Sequence, residues 1–427
     1  MKYSKLSFNK KLFVFTLLFF SINLYSQNKP KTEIINSGDL INKAIKLHDE
    51  GQYKQAEDLL LKISKNDTNY YWSLYELGLN YSVQEKYEKS IEIAKEGLNL
   101  SDNTDEVNYY ILLANTYDDI DSTDKAISVY KEALEKYKFN QSLNYNYGVA
   151  LYKKKFYAEA EKVLINSLIK NPFHSNSHFY LGCVNVAQGR LMPGVLCLST
   201  ALLMDANGDK GHRFLINLES AYNGELEKEI KTKDYPISET EYNSNFQEIE
   251  TLIRSDFALN KKYKTKANLN YIVTKQSQLI FDQIKEINGA ISFYTNFYVP
   301  LFKGIADNDY VEDFCYYILQ SADDKNISNW VKKKESRIKK FAAYAINLLN
   351  EKRKFGFDYE NEKKKKIFYQ FDNSSNLESF GEIESANENM KTGEWTYVNN
   401  KGNIEAIGFF TKKCSAIKAI ANFGFLT

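Results

Sequence analysis

A small residue returns at nearly constant intervals through residues 38–206: Ala44, Gly78, Ala114, Gly148 and Gly182 stand 34, 36, 34 and 34 positions apart. Two more small columns keep the same steps, Ala56, Ser90, Ala126, Ala160, Gly194 and Ile63, Gly97, Ala133, Ser167, Ala201. Larger side chains fill the columns between them, Tyr53, Tyr87, Thr123, Tyr157, Leu191 and Leu60, Ala94, Tyr130, Leu164, Leu198. A period of this length means stacked supersecondary units, each too small to bury its apolar face alone. Small residues let paired helices approach closely, and the aromatic columns fill the space between them. Turn-tolerant stretches fall between the first and second small columns: Glu50-Gly51-Gln52, Gln84-Glu85-Lys86, Asp121-Ser122-Thr123, Lys153-Lys154-Lys155 and Gln188-Gly189-Arg190. Each unit therefore reads as helix, turn, helix.

These columns resemble the tetratricopeptide repeat (TPR). The resemblance implies a mostly α fold, a TPR-type α-solenoid of about five repeats with a concave peptide-binding groove. The proline that closes each unit in that family is present only as Pro172, the other units having Thr68, Asp102, Lys138 and Ala206. In the family the ligand-facing side chains come from the first helix of each unit. Carried onto this chain, those positions are Trp72, Tyr75, Leu79, Asn108, Ile111, Asn115, Tyr145, Val149, Tyr152, Phe179 and Cys183. The lysines and arginines with which some members grip a terminal carboxylate are missing from this set. The resemblance thus implies a groove for an apolar or extended segment, with asparagine amides offering a donor and an acceptor to a peptide backbone. Such a surface is filled by a partner or covered by the chain's own C-terminal helices.

Before the repeats, Lys2, Lys5, Lys10 and Lys11 precede an apolar run from Leu12 to Leu24, and Ser26-Gln27 forms a cleavage point. This is the pattern of a secretory signal over 1–26, with an apolar run shorter than the roughly 20 residues a spanning helix needs. It predicts an exported protein, periplasmic or in the cell envelope, with no membrane span in the mature chain. The formal net charge of +1 favours neither nucleic acid nor an acidic membrane as partner for the chain as a whole. Cys183, Cys197, Cys315 and Cys414 lie too far apart for a metal knuckle or a dense disulfide framework, so buried free thiols are expected.

Helical spacing continues from His212 to Leu226 through Leu215, Leu218 and Tyr222, as a helix closing the open end of the solenoid, which makes 38–226 one solenoid with its cap. A polar connector, Lys228 to Thr240 with Pro236, follows. Residues 241–354 read as a second helical domain of about five elements without the period. Its apolar faces comprise Phe246, Ile249, Leu252, Ile253 and Phe257, then Leu269 to Ile284, then Ile291 to Phe302 with a bend or break at Pro300, then Tyr310 to Leu319 and Ile327 to Asn350. The charged run Glu351 to Lys366 reads as a solvated linker. Strand periodicity follows in 367–427, at Ile367–Phe371, Leu377–Ile383, Gly393–Val398 and Asn403–Phe410, with Asn399 to Gly402 as a hairpin turn. Lys391 to Tyr397 with Gly402 and Gly408-Phe409 resembles a MORN-type repeat variant, a two-stranded unit.

His174 and His178 stand four apart, on one helix face, but no third ligand at metal spacing accompanies them, so no metal is expected. No nucleophile elbow, phosphate loop or dinucleotide fingerprint is present, and no cofactor is implied. The reading is a noncatalytic exported scaffold for a protein or peptide partner. An enzyme with its site in 241–354 and a self-assembling envelope protein are the alternatives.

Overall fold

The computed structural model describes residues 36–100, 106–226, 244–287, 292–352, 355–357, 366–371, 377–384, 387–398, 404–410 and 418–420. The segment before residue 36, the connector 228–240, most of the run 351–366, the turn 399–402 and Cys414 lie outside them. The chain forms two compact units, Met1–Leu100 and Ser101–Thr427.

In the first unit, α1 (Ser37–Asp49) packs on α2 (Tyr53–Leu60), and α3 (Tyr70–Val83) packs on α4 (Tyr87–Leu100). Ile41, Ala44, Ala56, Leu60, Ile63, Leu77 and Tyr81 form one of its cores. The second unit continues the pairing with α5 (Glu106–Asp119) and α6 (Thr123–Lys136), α7 (Gln141–Lys153) and α8 (Tyr157–Lys170), and α9 (Ser175–Ala187) and α10 (Leu191–Met204). The architecture is a TPR-type α-solenoid of consecutive helix pairs.

The turn between paired helices is built the same way five times. Gly51, Glu85, Asp121, Lys155 and Gly189 all have φ between +56° and +75°. The following amide always bonds back to a carbonyl five residues earlier: Gln52 to Leu47, Lys86 to Tyr81, Ser122 to Tyr117, Phe156 to Leu151 and Arg190 to Asn185, at 2.7–2.9 Å. This is the left-handed helix stop that satisfies orphan carbonyls, and only the first and last copies use glycine. The small columns serve close approach as their spacing predicts. A Cβ on Gly148 would lie 2.7 Å from Leu164, and one on Gly182 would lie 2.7 Å from Leu198, one period further on.

After the pairs come α11 (Gly208–Tyr222), α12 (Ser244–Arg254), α13 (Ile272–Gln283), α14 (Phe293–Asp307), α15 (Val311–Ile318), α16 (Lys325–Lys333) and α17 (Glu335–Lys352), with short 3-10 turns between some of them. α11 begins earlier than expected and buries Phe214, Leu215, Leu218, Ala221 and Tyr222. It has helical neighbours on more than one side, packing on α10 and on α13.

Three details of the helical region differ from the sequence reading. α12 stops at Arg254, because Asp256 takes a left-handed conformation, so Phe257 falls in a 3-10 turn and is 51% exposed instead of sharing the buried face. Pro300 lies inside α14, which runs on to Asp307 with Phe297, Tyr298, Leu301 and Phe302 buried around it. The Ile327–Asn350 segment is two helices, α16 and α17, meeting at Lys334.

Six strands follow, β1 (Phe355–Phe357), β2 (Lys366–Phe371), β3 (Leu377–Glu384), β4 (Asn387–Val398), β5 (Ile404–Phe410) and β6 (Lys418–Ile420), in an antiparallel meander of order β1-β2-β3-β4-β5-β6. The four strands expected from alternation are its centre; the three-residue β1 and β6 are too short to give a period. Trp395, fully buried, stands opposite Gly408 in the β4–β5 register.

Candidate peptide-binding groove

In the first unit Trp72, Tyr75 and Leu79 lie on one face of α3, as residues three and four apart must. Trp72 is exposed and its indole N–H donates to Glu76 at 3.0 Å. Tyr75 is half-buried, and that burial raises its phenol above its ordinary pKa.

In the second unit Asn108, Ile111 and Asn115 occupy the matching face of α5, and Tyr145, Val149 and Tyr152 that of α7. All six are half-buried, accessible on one side and packed on the other. Asn115 accepts a short hydrogen bond from the Tyr130 hydroxyl, which engages its carbonyl inside the repeat and leaves its NH2 outside that bond. The tyrosines form a lattice through a residue absent from the sequence list. Tyr180 lies 6.1 Å from Tyr145 and 5.6 Å from Tyr152, ring centre to ring centre, and His174 meets Tyr145 edge-on at 4.6 Å. Tyr180 escaped notice because the positions one period back hold Asn146, Leu112 and Glu76, which share no chemistry with it. Burial pushes the Tyr145 phenol up to about 12, so its hydroxyl is neutral and able to donate.

The fifth repeat differs. Phe179 is buried, stacked on Phe214 of α11 at 4.8 Å, with the Arg213 guanidinium 4.9 Å from its ring centre. Arg213 also donates to Asn176 at 3.2 Å. Cys183 is fully buried and its thiol is pushed up to about 12 by that burial. The expected surface therefore ends here: Phe179 and Cys183 are packing residues beneath the closing helix, while the half-exposed face runs over α5 and α7 to Tyr180.

A second face of α9 is occupied by the chain itself. His178 and Asn185, seven apart, point to the same side, and at about 100° per residue that side is roughly 140° from the Asn176, Phe179, Cys183 face. α14 lies there. The Tyr298 hydroxyl meets His178 Nδ1 at 2.8 Å, and His178 Nε2 meets the Pro172 carbonyl at 2.8 Å. Since the carbonyl can only accept, the ring proton sits on Nε2 and Tyr298 donates to Nδ1. Asn185 donates to the Tyr294 hydroxyl at 2.8 Å, and Tyr294 donates to Glu161 of α8 at 2.6 Å. Glu161 also accepts from Arg190 and from Gln188. Beside this network, the Glu250 carboxylate of α12 accepts from the Met192 amide in the first turn of α10, where unpaired N–H groups favour an anion. The C-terminal helices thus cover the outer side of the last two repeats and leave the α5 and α7 face uncovered by these contacts.

Neither histidine of the pair is placed for a metal. His174 caps α9, accepting from the Ser177 amide at 3.3 Å, and both His178 nitrogens are engaged. Among the described residues no group of three or more potential ligands converges. Cys183, Cys197 and Cys315 are buried free thiols.

No protein-family model matches the sequence, and no curated protein matches it. Among solved structures the chain is similar to a thermophilic TPR protein of Thermus thermophilus, at 18% identity and a TM-score of 0.37 over 43% of this chain and 98% of that one. YrrB, described as a TPR protein with an unusual peptide-binding site, matches at 15% identity and a TM-score of 0.33 over 47% and 97%. MamA of Desulfovibrio magneticus matches at 14% identity and a TM-score of 0.34 over 40% and 97%.

Proposed function

We propose that this chain is an exported, noncatalytic scaffold whose first-helix faces hold an extended, largely apolar segment of another protein in the periplasm or cell envelope. One observation carries the reading. The chain's own C-terminal helices, which had been the competing occupant of the groove, are anchored through Tyr294, Tyr298 and Glu250 to a different side of the repeats. The half-exposed tyrosines and asparagines of α5 and α7 are then left for an outside ligand. Neutral tyrosine hydroxyls and amide NH2 groups suit backbone carbonyls, and the aromatic rings suit apolar side chains at alternate positions. Export is supported by the lysine-then-apolar pattern at the N-terminus.

The test is selection of binders from a random-peptide library with the chain lacking residues 1–26. Selected peptides should be apolar and lose at least about tenfold in affinity on Tyr145→Asp or Tyr152→Asp, because truncated or charged anchors at an interface centre cost 2 kcal/mol or more. Binding unchanged by both substitutions, with helix content intact, sinks the groove assignment.

A further inference from the structure

The net charge of +1 hides a local separation of charge in the helical region. Two basic clusters lie there. The loop after α12 carries Lys261, Lys262 and Lys264, and the elbow between α16 and α17 carries Lys332, Lys333, Lys334 and, one turn on, Lys340. All seven are exposed, and among the described residues none has an acidic partner.

Several acids of this region are already engaged. Asp309, in the turn between α14 and α15, pairs with Lys266 of the loop at 2.6 Å, and its carbonyl accepts from Arg337 of α17 at 2.7 Å. Asp313 takes the Arg337 Nε at 2.7 and 2.9 Å, Asp282 takes the Tyr263 hydroxyl at 2.6 Å, and Glu335 takes Lys339 at 2.6 Å. Asp309 therefore ties the loop to the first turn of α17, so the two lysine clusters flank one junction of this region.

An aromatic residue stands out among these charges. Phe257, displaced from α12 by the left-handed Asp256, is 51% exposed and meets the Tyr263 ring edge to face at 5.7 Å between ring centres.

The geometry points to a face that rests on an anionic phospholipid surface. Lysines on flexible stems meet headgroup phosphates as point charges without a fixed register, which is what a fluid lipid surface presents. Arg337 has its fork spent on Asp309 and Asp313, and Arg254, which closes α12, has a partner of its own, so neither stands as a free bidentate reader of nucleic-acid phosphates or bases. A single protruding ring, gripped edge-on by Tyr263, does not form the row of stacking platforms a single-stranded nucleic acid uses. It does suit insertion among headgroups.

Sedimentation of the chain lacking residues 1–26 with lipid vesicles tests this. It should bind vesicles of phosphatidylcholine with added phosphatidylglycerol, not phosphatidylcholine alone, and binding should weaken several-fold between about 0.05 M and about 0.5 M salt. Charge reversal of Lys261, Lys262 and Lys264, or of Lys332, Lys333 and Lys334, should each lower the partition constant at least tenfold, about the scale of one kcal/mol per surface lysine. Phe257→Ser should lower it several-fold. The same reversal at Lys43, Lys62 and Lys95 of the first unit, with an equal change in net charge, should leave it within twofold. Thermal unfolding confirms that each variant is folded, since every position is exposed. Absence of binding, equal binding to neutral vesicles, an equal loss from the control reversals, or binding to a single-stranded oligonucleotide with none to anionic vesicles would each overturn the proposal.

Discussion

α6 and α10 hold the same place in their repeats, two periods apart, and live in opposite surroundings. Ser128, Lys131, Glu132 and Glu135 of α6 are exposed; their counterparts Leu196, Ser199, Thr200 and Leu203 of α10 are buried. α6 buries one stripe, Thr123, Ala126, Ile127, Tyr130 and Ala133. α10 is buried along its whole length from Leu191 to Leu203. A helix that is apolar all round is covered all round, and α10 is covered by α9 on one side and by α11, α12, α14 and α15 on others. The comparison teaches that the repeat pattern specifies only the inner contacts of a pair. What lies on the outer face is decided by the residues the pattern leaves free.

Four measurements break or sharpen that contrast. The largest effect is expected from placing one charge at equivalent outer positions. Leu196→Lys, on a fully buried site, should cost more than about 4 kcal/mol or abolish folding, while Ser128→Lys should change stability by no more than about 0.5 kcal/mol; urea unfolding reads both. Similar losses would show that α10 is not enclosed.

Next comes His178. His178→Ala leaves the Tyr298 hydroxyl and the Pro172 carbonyl buried without their partner and opens a cavity, a loss of about 3 kcal/mol. Its counterpart Asn144, whose amide donates to Lys138 and Asn140 carbonyls within its own repeat, should lose only about 1 kcal/mol as Asn144→Ala.

The same histidine gives the region a pH dependence. Burial lowers the His178 pKa from 6.5 to about 4, so the unfolded chain binds more protons between those values. Its contribution is complete above pH 6.5 and is lost as pH falls toward 4, on the order of 3 kcal/mol in all. His174, lowered by its own burial to about 4, titrates in the same window. The slope of stability against pH in this window should fall to about half in His178→Ala, His174 supplying the rest; an unchanged slope would assign the titration elsewhere.

The smallest effect concerns the turns. Glu85 and Lys155 hold φ of +59° and +64° where the first and last repeats use glycine. Glu85→Gly and Lys155→Gly should each stabilise by about 0.5–1 kcal/mol in thermal unfolding, since a Cβ in this conformation costs about 1 kcal/mol or more.

The helix pairs were legible because close approach needs small residues, and Ala44, Gly78, Ala114, Gly148 and Gly182 display that need at a fixed interval. The left-handed turns at Glu85, Asp121 and Lys155 were not, since these residue types carry no such signal. The half-exposed face of α5 and α7 follows from the repeat alignment. Its limit at Phe179 does not, because Phe214 and Arg213, which cover that ring, lie outside the repeats. α10 carried an unused sign in its sequence, LMPGVLCLSTALLM, which has no polar face. The occupant of that face could not be read, because Tyr294 and Tyr298 lie more than a hundred positions from Asn185 and His178 and follow no period.

Thiol labelling of two introduced cysteines tests most directly that the chain covers one side of the last repeats and leaves the groove bare. The thiol introduced by Tyr145→Cys should react with a maleimide in the native protein within minutes, and that introduced by Tyr298→Cys only at the rate of unfolding. Slow labelling at 145, or equal labelling at both positions in a folded chain, would contradict the account.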